Sequence, residues 1–411
     1  MTPIKPDLPP AIVLGLSPTG LHVARTLGRA GVRVIGVGDG MQSARWSRYL
    51  DRCLSIADSA QKLEALCGLF PETPQDQPGR PVLIPTSDQD VELILQNGER
   101  LGRHFAFQDS YRDGLAGRIM AKDSFYQLCA ANAVSFPALL ETGRDGLAAL
   151  PDRLALPWMI KPARIHAIKT QMAGSKGWIV QDRDQLKDIQ SDIPEGAGTL
   201  LVQEIVPGPE SEITLVCVHM DRAGEARQVF TARKLRQFPP GFGSASLVQS
   251  HAEPDSAAIV TALLKALGYR GIAAAEFKRD PRSGELKIIE INVRPSLWFS
   301  VSDAARKPVV LSAYRELAGV EEIPAEQPQI DGVRWRYGLK DSWSALFYAR
   351  RRGFVLPPPD ISSAGPARHR LSAVWDPRDP GPALADLANL AYKAVTRVAA
   401  RVFRSRKEDP S

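Results

Sequence analysis

The sequence predicts a protein of α/β and α+β character: a doubly wound unit on a parallel sheet at the N-terminus, then a region of antiparallel hairpins. Three observations carry this. Residues 11–39 run strand, Gly-containing turn, helix, strand, which is a βαβ unit. Residues 199–218 and 272–295 instead hold strand runs joined by Pro-Gly and Asp-Pro-Arg-Ser-Gly bends, the mark of antiparallel pairing. At 411 residues and 44% apolar composition, the chain is long enough for two or three packed cores.

Taken in order, AIVLGL (11–16) is a buried-strand run, SPTGLHVARTLGRAG (17–31) a turn and helix, and VRVIGVGD (32–39) a second strand. Gly15 and Gly20 lack the Lys-Ser/Thr of a P-loop and do not complete a GxGxxG pattern. They either leave the helix N-terminus facing an anion or only form a tight turn. PETPQDQPG (71–79) is a surface loop. PVLIPTSDQDVELIL (81–95) is a strand and a helix capped by Ser87 or Asp88. Both also lie at a strand end, where open α/β sheets bind ligands, and could grip an amino group. The first domain, 1–118, ends there. A helix opens at 120–142, strands follow at 156–163 and 199–218, and a strand, loop and second strand at 228–250. Residues 255–271 form an amphipathic helix, and 272–295 a hairpin. Residues 323–370 are Pro-rich and read as irregular; 382–406 form a last helix, apolar on one side and basic toward its end.

Bulk properties exclude several classes. The net charge of +6 sets 52 basic against 46 acidic residues and concentrates its excess at the C-terminus, so no nucleic-acid partner is expected. Four scattered cysteines without a CxxC pair indicate a reduced, cytoplasmic protein with no disulfide framework. MTPIKPDLPP does not read as a signal peptide, and no apolar run reaches the length of a membrane span.

The candidate chemistry lies in IIEINVRP (288–295), where Glu290, Asn292 and Arg294 alternate with Ile289, Ile291 and Val293. Alternation puts the three polar groups on one face. Glu276 in AAEFKRD faces the same hairpin. Two carboxylates and an amide suit a hard divalent cation that takes its other ligands from phosphate and water; the plain alternative is a solvated sheet face. Lys161 ends the strand of WMIKPA, Lys122 opens a helix, and AGSKG (173–177) is a small turn whose N–H groups and Lys176 could cover phosphates. QEIVPG (203–208) breaks off an apolar strand and exposes backbone polar groups.

This ordered set resembles the ATP-grasp superfamily over residues 11–322. The resemblance implies a pre-ATP-grasp domain at 1–118, a lid subdomain at 119–198, and a C-terminal antiparallel-sheet subdomain at 199–322 carrying a metal site, with 323–411 as an extension. It implies ATP and Mg²⁺, with Mn²⁺ as a substitute, as cofactors. Lys122 and Lys161 would bind ATP phosphates, with Gly174, Ser175, Lys176 and Gly177 as the covering loop. Glu204, Ile205 and Val206 would be the adenine hinge, and Glu212, with Glu210 as second candidate, the ribose carboxylate. Glu276, Glu290 and Asn292 would hold the metal, and Arg294 would steady the acyl phosphate or the acid.

The reaction implied is transfer of the ATP γ-phosphoryl group to a carboxylate, then attack by an amine, as in the carboxylate–amine ligases neighbouring D-aspartate ligase-like enzymes. The alternatives are an ATP-dependent carboxylase or kinase, or a non-catalytic nucleotide-binding protein. Arg233, Lys234 and Arg236 are substrate candidates if they face the cleft, or part of a solvated edge strand if not. The helix at 382–406 either touches an anionic membrane surface or docks on its own protein.

Overall fold

A computed structural model describes residues 8–39, 42–75, 77–150, 154–162, 177–320, 325–351 and 354–389. The first sheet has four parallel strands, β1 (Ala11–Leu14), β2 (Val34–Gly38), β3 (Arg52–Ser55) and β4 (Val82–Pro85), in the order β3-β2-β1-β4. Parallel strands need crossovers: α1 (Pro18–Arg29) joins β1 to its neighbour β2, and α2 (Ser59–Cys67) carries the chain from β3 at one edge of the sheet to β4 at the other; α3 (Asp88–Gln96) leads away from β4. β1, β2 and β4 are buried along their whole length, as strands covered on both faces must be. Strand β3 was not legible in the sequence, because its RCLS run is an exposed edge with no apolar pattern.

Packing accounts for the two glycines of the first turn. Gly15 has a φ of +85°, and a Cβ on Gly20 would lie 1.9 Å from the Gly15 carbonyl oxygen. The close turn brings Ser17, Pro18 and Thr19, at the N-terminus of α1, to the wall of a central cleft.

The second sheet is antiparallel: β5 (Leu139–Thr142), β6 (Trp158–Pro162), β7 (Trp178–Val180) and β8 (Leu200–Glu204), ordered β5-β8-β6-β7. It has its own small core around Leu147, Trp158, Ile160 and Val202.

The third sheet has seven strands: β9 (Ile213–Met220), β10 (Ala226–Phe238), β11 (Ser244–Ser250), β12 (Gly271–Arg279), β13 (Leu286–Asn292), β14 (Val333–Arg336) and β15 (His369–Ser372). Their order is β13-β12-β9-β10-β11-β14-β15, antiparallel except for the β14–β15 pair. One apolar cluster runs from Val13 and Leu21 of the first unit to Phe230 and Trp335 of this sheet, with Trp298 against Phe230, so the two share a core.

The segment at 323–370, expected to be irregular, contributes β14, the start of β15 and the helix Gly338–Arg350. Its strand signal is only four residues, VRWR, in which Val333 and Trp335 are fully buried and two arginines take the other face. Among the described residues no helix is long and apolar enough to cross a membrane. Residues 163–176 and 390–411 lie outside the described residues. So do Gly174, Ser175 and Lys176 of the expected phosphate loop and most of the expected C-terminal helix.

Candidate active site

The three sheets converge on a cleft of about 690 Å³. Its floor is the β12–β13 hairpin. Glu276 and Glu290 are direct cross-strand partners, and the Asn292 amide donates to Glu290 Oε1 at 3.2 Å. Alternation puts Glu290 and Asn292 on one face, but it does not run back to Ile288. Phe277 and Ile288 also pair, both inside the core, so β13 takes two steps where β12 takes one. The extra residue, Ile289, is a bulge that turns Glu290 to the cleft while Ile288 stays buried.

Burial pushes the Glu290 carboxyl up in pKa, but the charges of Lys122 and Lys234, the Asn292 hydrogen bond and the charge of Lys161 outweigh it. The carboxyl is held below its ordinary value. Lys234 forms an ion pair with Glu276 and lies 3.3 Å from Gln237 Oε1. Two carboxylates thus face three ammonium groups. These five groups carry a net charge of +1 and suit polyanionic phosphate. Lys122 comes from the first turn of the helix Lys122–Ala131 and Lys161 from β6. Behind them, Gln203 donates to the Tyr126 hydroxyl at 2.6 Å, and Tyr126 donates to the Ile289 carbonyl at 2.9 Å, supporting the bulge.

The hinge follows β8. Ile205 donates its N–H to the Pro157 carbonyl at 2.8 Å. The Val206 N–H meets no acceptor among the described residues, whereas the Val206 carbonyl accepts from Lys278 Nζ at 3.0 Å and the Gly208 carbonyl at 2.6 Å. Burial pushes the Lys278 pKa down to about 8, against Glu212, Glu210 and Asp280, which raise it. The Glu204 side chain is held by Lys287 at 3.0 Å and by Arg282, anchoring the hinge to β13 and its turn. Glu212 is exposed and sits over Gly208, beside Lys278. Glu210 is fully buried and accepts from the Gly241 and Gln237 N–H groups, so it organises the neighbouring loop and is not presented to a ribose.

On the opposite wall, Ser87 caps α3 by accepting from the Asp90 N–H at 3.2 Å. Asp88 forms an ion pair with Arg294 at 2.8 Å, and both line the cleft. Of the three basic candidates on β10, only Lys234 reaches the cleft. Arg233 pairs with Glu253 and Arg236 with Asp341, both on the other face of the sheet. Of the expected phosphate loop, only Gly177 is described. Lys278 and Gln237 line the cleft and were not singled out from the sequence. Lys278 could have been, since it stands two residues beyond Glu276 and alternation gives both one face. Gln237 could not, because irregular pairing between Lys234 and Gln237 decides its direction.

The donor set of two carboxylates and one amide fits a hard cation bound mainly through phosphate and water. Among the described residues no cluster of three or more His, Cys, Asp or Glu forms a fuller metal cage.

No established protein-family model matches the sequence. A D-aspartate ligase from Enterococcus faecium (strain Aus0004) is 26% identical over 245 residues, covering 56% of this chain and 57% of that protein's length. Two solved structures share the fold. The biotin carboxylase domain of 2-oxoglutarate carboxylase from Hydrogenobacter thermophilus, bound to MgADP and bicarbonate, superposes with a TM-score of 0.60 at 13% identity. The match covers 80% of this chain and 73% of that one. N5-carboxyaminoimidazole ribonucleotide synthetase from Thermotoga maritima superposes with a TM-score of 0.55 at 14% identity, covering 79% of each chain. With a four-stranded antiparallel sheet, a seven-stranded sheet and a doubly wound N-terminal sheet closing on one cleft, the chain has the ATP-grasp fold, and over about half its length its sequence is similar to a D-aspartate ligase.

Proposed function

We propose that this chain is an ATP-dependent ligase that converts a carboxylate to an acyl phosphate, releasing ADP, and passes the acyl group to an amine with loss of phosphate. One observation carries the reading: Glu276, Glu290 and Asn292 meet Lys122, Lys161 and Lys234 in a single cleft. Phosphoryl transfer needs charge neutralisation and alignment more than covalent assistance, and this cluster offers both. The hinge supports it, because the Val206 N–H, which meets no acceptor among the described residues, can read an adenine edge while Lys278 holds the adjoining carbonyls. Glu276, Glu290 and Asn292 would hold Mg²⁺, which when bound would neutralise the phosphate charge. Glu212, beside the hinge, remains the ribose carboxylate in this reading. Arg294, steadied by Asp88, faces the same space and would orient the acid or its phosphorylated form.

The homologous ligase makes D-aspartate the first acid to assay, with other amino acids and bicarbonate beside it, each against a panel of amines. ADP release that needs both an acid and an amine supports the ligase. Dependence on bicarbonate alone identifies a carboxylase, and AMP with pyrophosphate excludes acyl-phosphate chemistry. Glu290→Gln should lower turnover by at least about 10²-fold, the scale for removing one preorganised charged group, with the circular dichroism spectrum unchanged. Undiminished turnover would refute the assignment.

A further inference from the structure

The arginines that do not reach the cleft converge on the opposite face of the seven-stranded sheet. Alternation along β14 turns Val333 and Trp335 into the core and Arg334 and Arg336 outward. Parallel pairing sets Arg370 of β15 beside Arg334, and antiparallel pairing aligns Arg236 with Leu247, itself opposite Arg336. The four guanidinium groups line a cavity of about 520 Å³ in which Asp341 is the one acidic lining residue among the described residues. Four positive charges against one negative leave a formal excess of +3.

That carboxylate is already committed. Asp341 accepts from Arg236 at 2.7 and 2.8 Å and from Arg336 at 2.6 Å. Arg334 bonds the Gln249 amide oxygen at 2.6 Å and the Gly365 carbonyl at 3.2 Å. Burial, then the charges of Arg370 and Arg236, push its pKa down against the charge of Asp341, which raises it. Arg370 is exposed, and its side chain makes no hydrogen bond or ion pair among the described residues. The 13-residue helix Gly338–Arg350 begins at this cavity with Gly338, adding the positive end of its dipole. Leu247, Ile361 and Leu371 supply an apolar wall.

We propose that this cavity is a second ligand site, separate from the nucleotide cleft, which takes a phosphate-bearing molecule whose organic part rests on the apolar wall. Guanidinium forks on three strands match the several oxygens and multiple charge of a phosphate better than a single carboxylate, and the volume leaves room for the organic part. The phosphate belongs either to a soluble metabolite or to a lipid headgroup.

The test saturates the nucleotide cleft of the full-length protein with ADP and Mg²⁺. It then titrates phenyl phosphate by calorimetry and sediments the protein with phosphatidylcholine vesicles with and without phosphatidate. Saturable phenyl phosphate binding is expected, weakened at least about tenfold by Arg370→Glu, the scale of one lost charge-assisted contact; unchanged ADP affinity shows that the variant is folded. Phosphatidate-dependent sedimentation lost in Arg370→Glu assigns the phosphate to a lipid. Phenyl phosphate binding without sedimentation assigns it to a soluble molecule. Binding of neither probe, or binding that survives Arg370→Glu, overturns the proposal.

Discussion

Lys278 shows what a single residue contributes to the cleft. Its amine donates to two hinge carbonyls and can do so protonated or neutral, since each form has at least two N–H bonds. Lys278→Met keeps an unbranched apolar stem, lacks the terminal amine, and leaves both carbonyls without that donor. A cost of about 1–3 kcal/mol per unmet group follows, with weaker ADP binding as the hinge loosens. Thermal unfolding and ADP titration check this, and unchanged values for both would show that the hinge does not rely on this lysine. The pH dependence has a definite sign. The ordinary lysine value of 10.5 is lowered to about 8 in the folded protein, so between these values the unfolded chain binds more protons. Stability contributed by this group therefore rises with pH across that window, and Lys278→Met should flatten the rise relative to the parent protein. Residues of this kind were partly legible. Glu276, Glu290, Asn292 and Arg294 followed from alternation, whereas the Ile289 bulge that aims Glu290 was not, because nothing in IIEIN marks where β13 takes its extra step.

At the scale of elements, α1 depends on a contact too close for any side chain. A Cβ on Gly20 would sit 1.9 Å from the Gly15 carbonyl oxygen, and the obstacle is backbone, which cannot swing aside as a flexible side chain can. Gly20→Ala should therefore destabilise the fold by at least about 2 kcal/mol, the scale of overpacking, by forcing the N-terminus of α1 away from β1. Because Ser17, Pro18 and Thr19 line the cleft, ligand affinity should fall with stability. A denaturant midpoint within error of the parent would contradict this account. The same scale explains which elements the sequence revealed. β1, β2 and β4 are continuous apolar runs, and the amphipathic helix Pro254–Ala266 has a clear period. β3, β14 and β15 are four-residue strands rich in arginine, whose pairing is decided by neighbours far away in the chain. β14 and β15 supply half of the residues that line the second cavity, three of its four arginines among them, so it was hidden along with the strands that build it.

At the scale of the whole molecule, the residues after 320 belong to the architecture of the protein. Trp335 on β14 is fully buried in the apolar cluster shared by the first and third sheets. Further along, Asp379 returns to the N-terminal unit. It pairs with Arg25 of α1 at 2.9 Å and accepts from the Ser47 hydroxyl at 2.7 Å and the Arg48 N–H at 2.9 Å. The Arg25 and Asp379 side chains are 8% and 1% exposed. A buried pair of this kind adds little relative to an apolar replacement of both partners, but removal of one partner strands the other charge. Asp379→Ala should therefore cost about 3–5 kcal/mol, and Arg25→Met combined with it should recover part of the loss. Urea unfolding of the single and double variants measures both values. If the C-terminal segment only rests on the surface, the single variant will unfold at the parent's midpoint. A large single loss with partial recovery means that the shared core is closed by chain more than 350 residues from α1, so the geometry of the cleft depends on both ends of the chain.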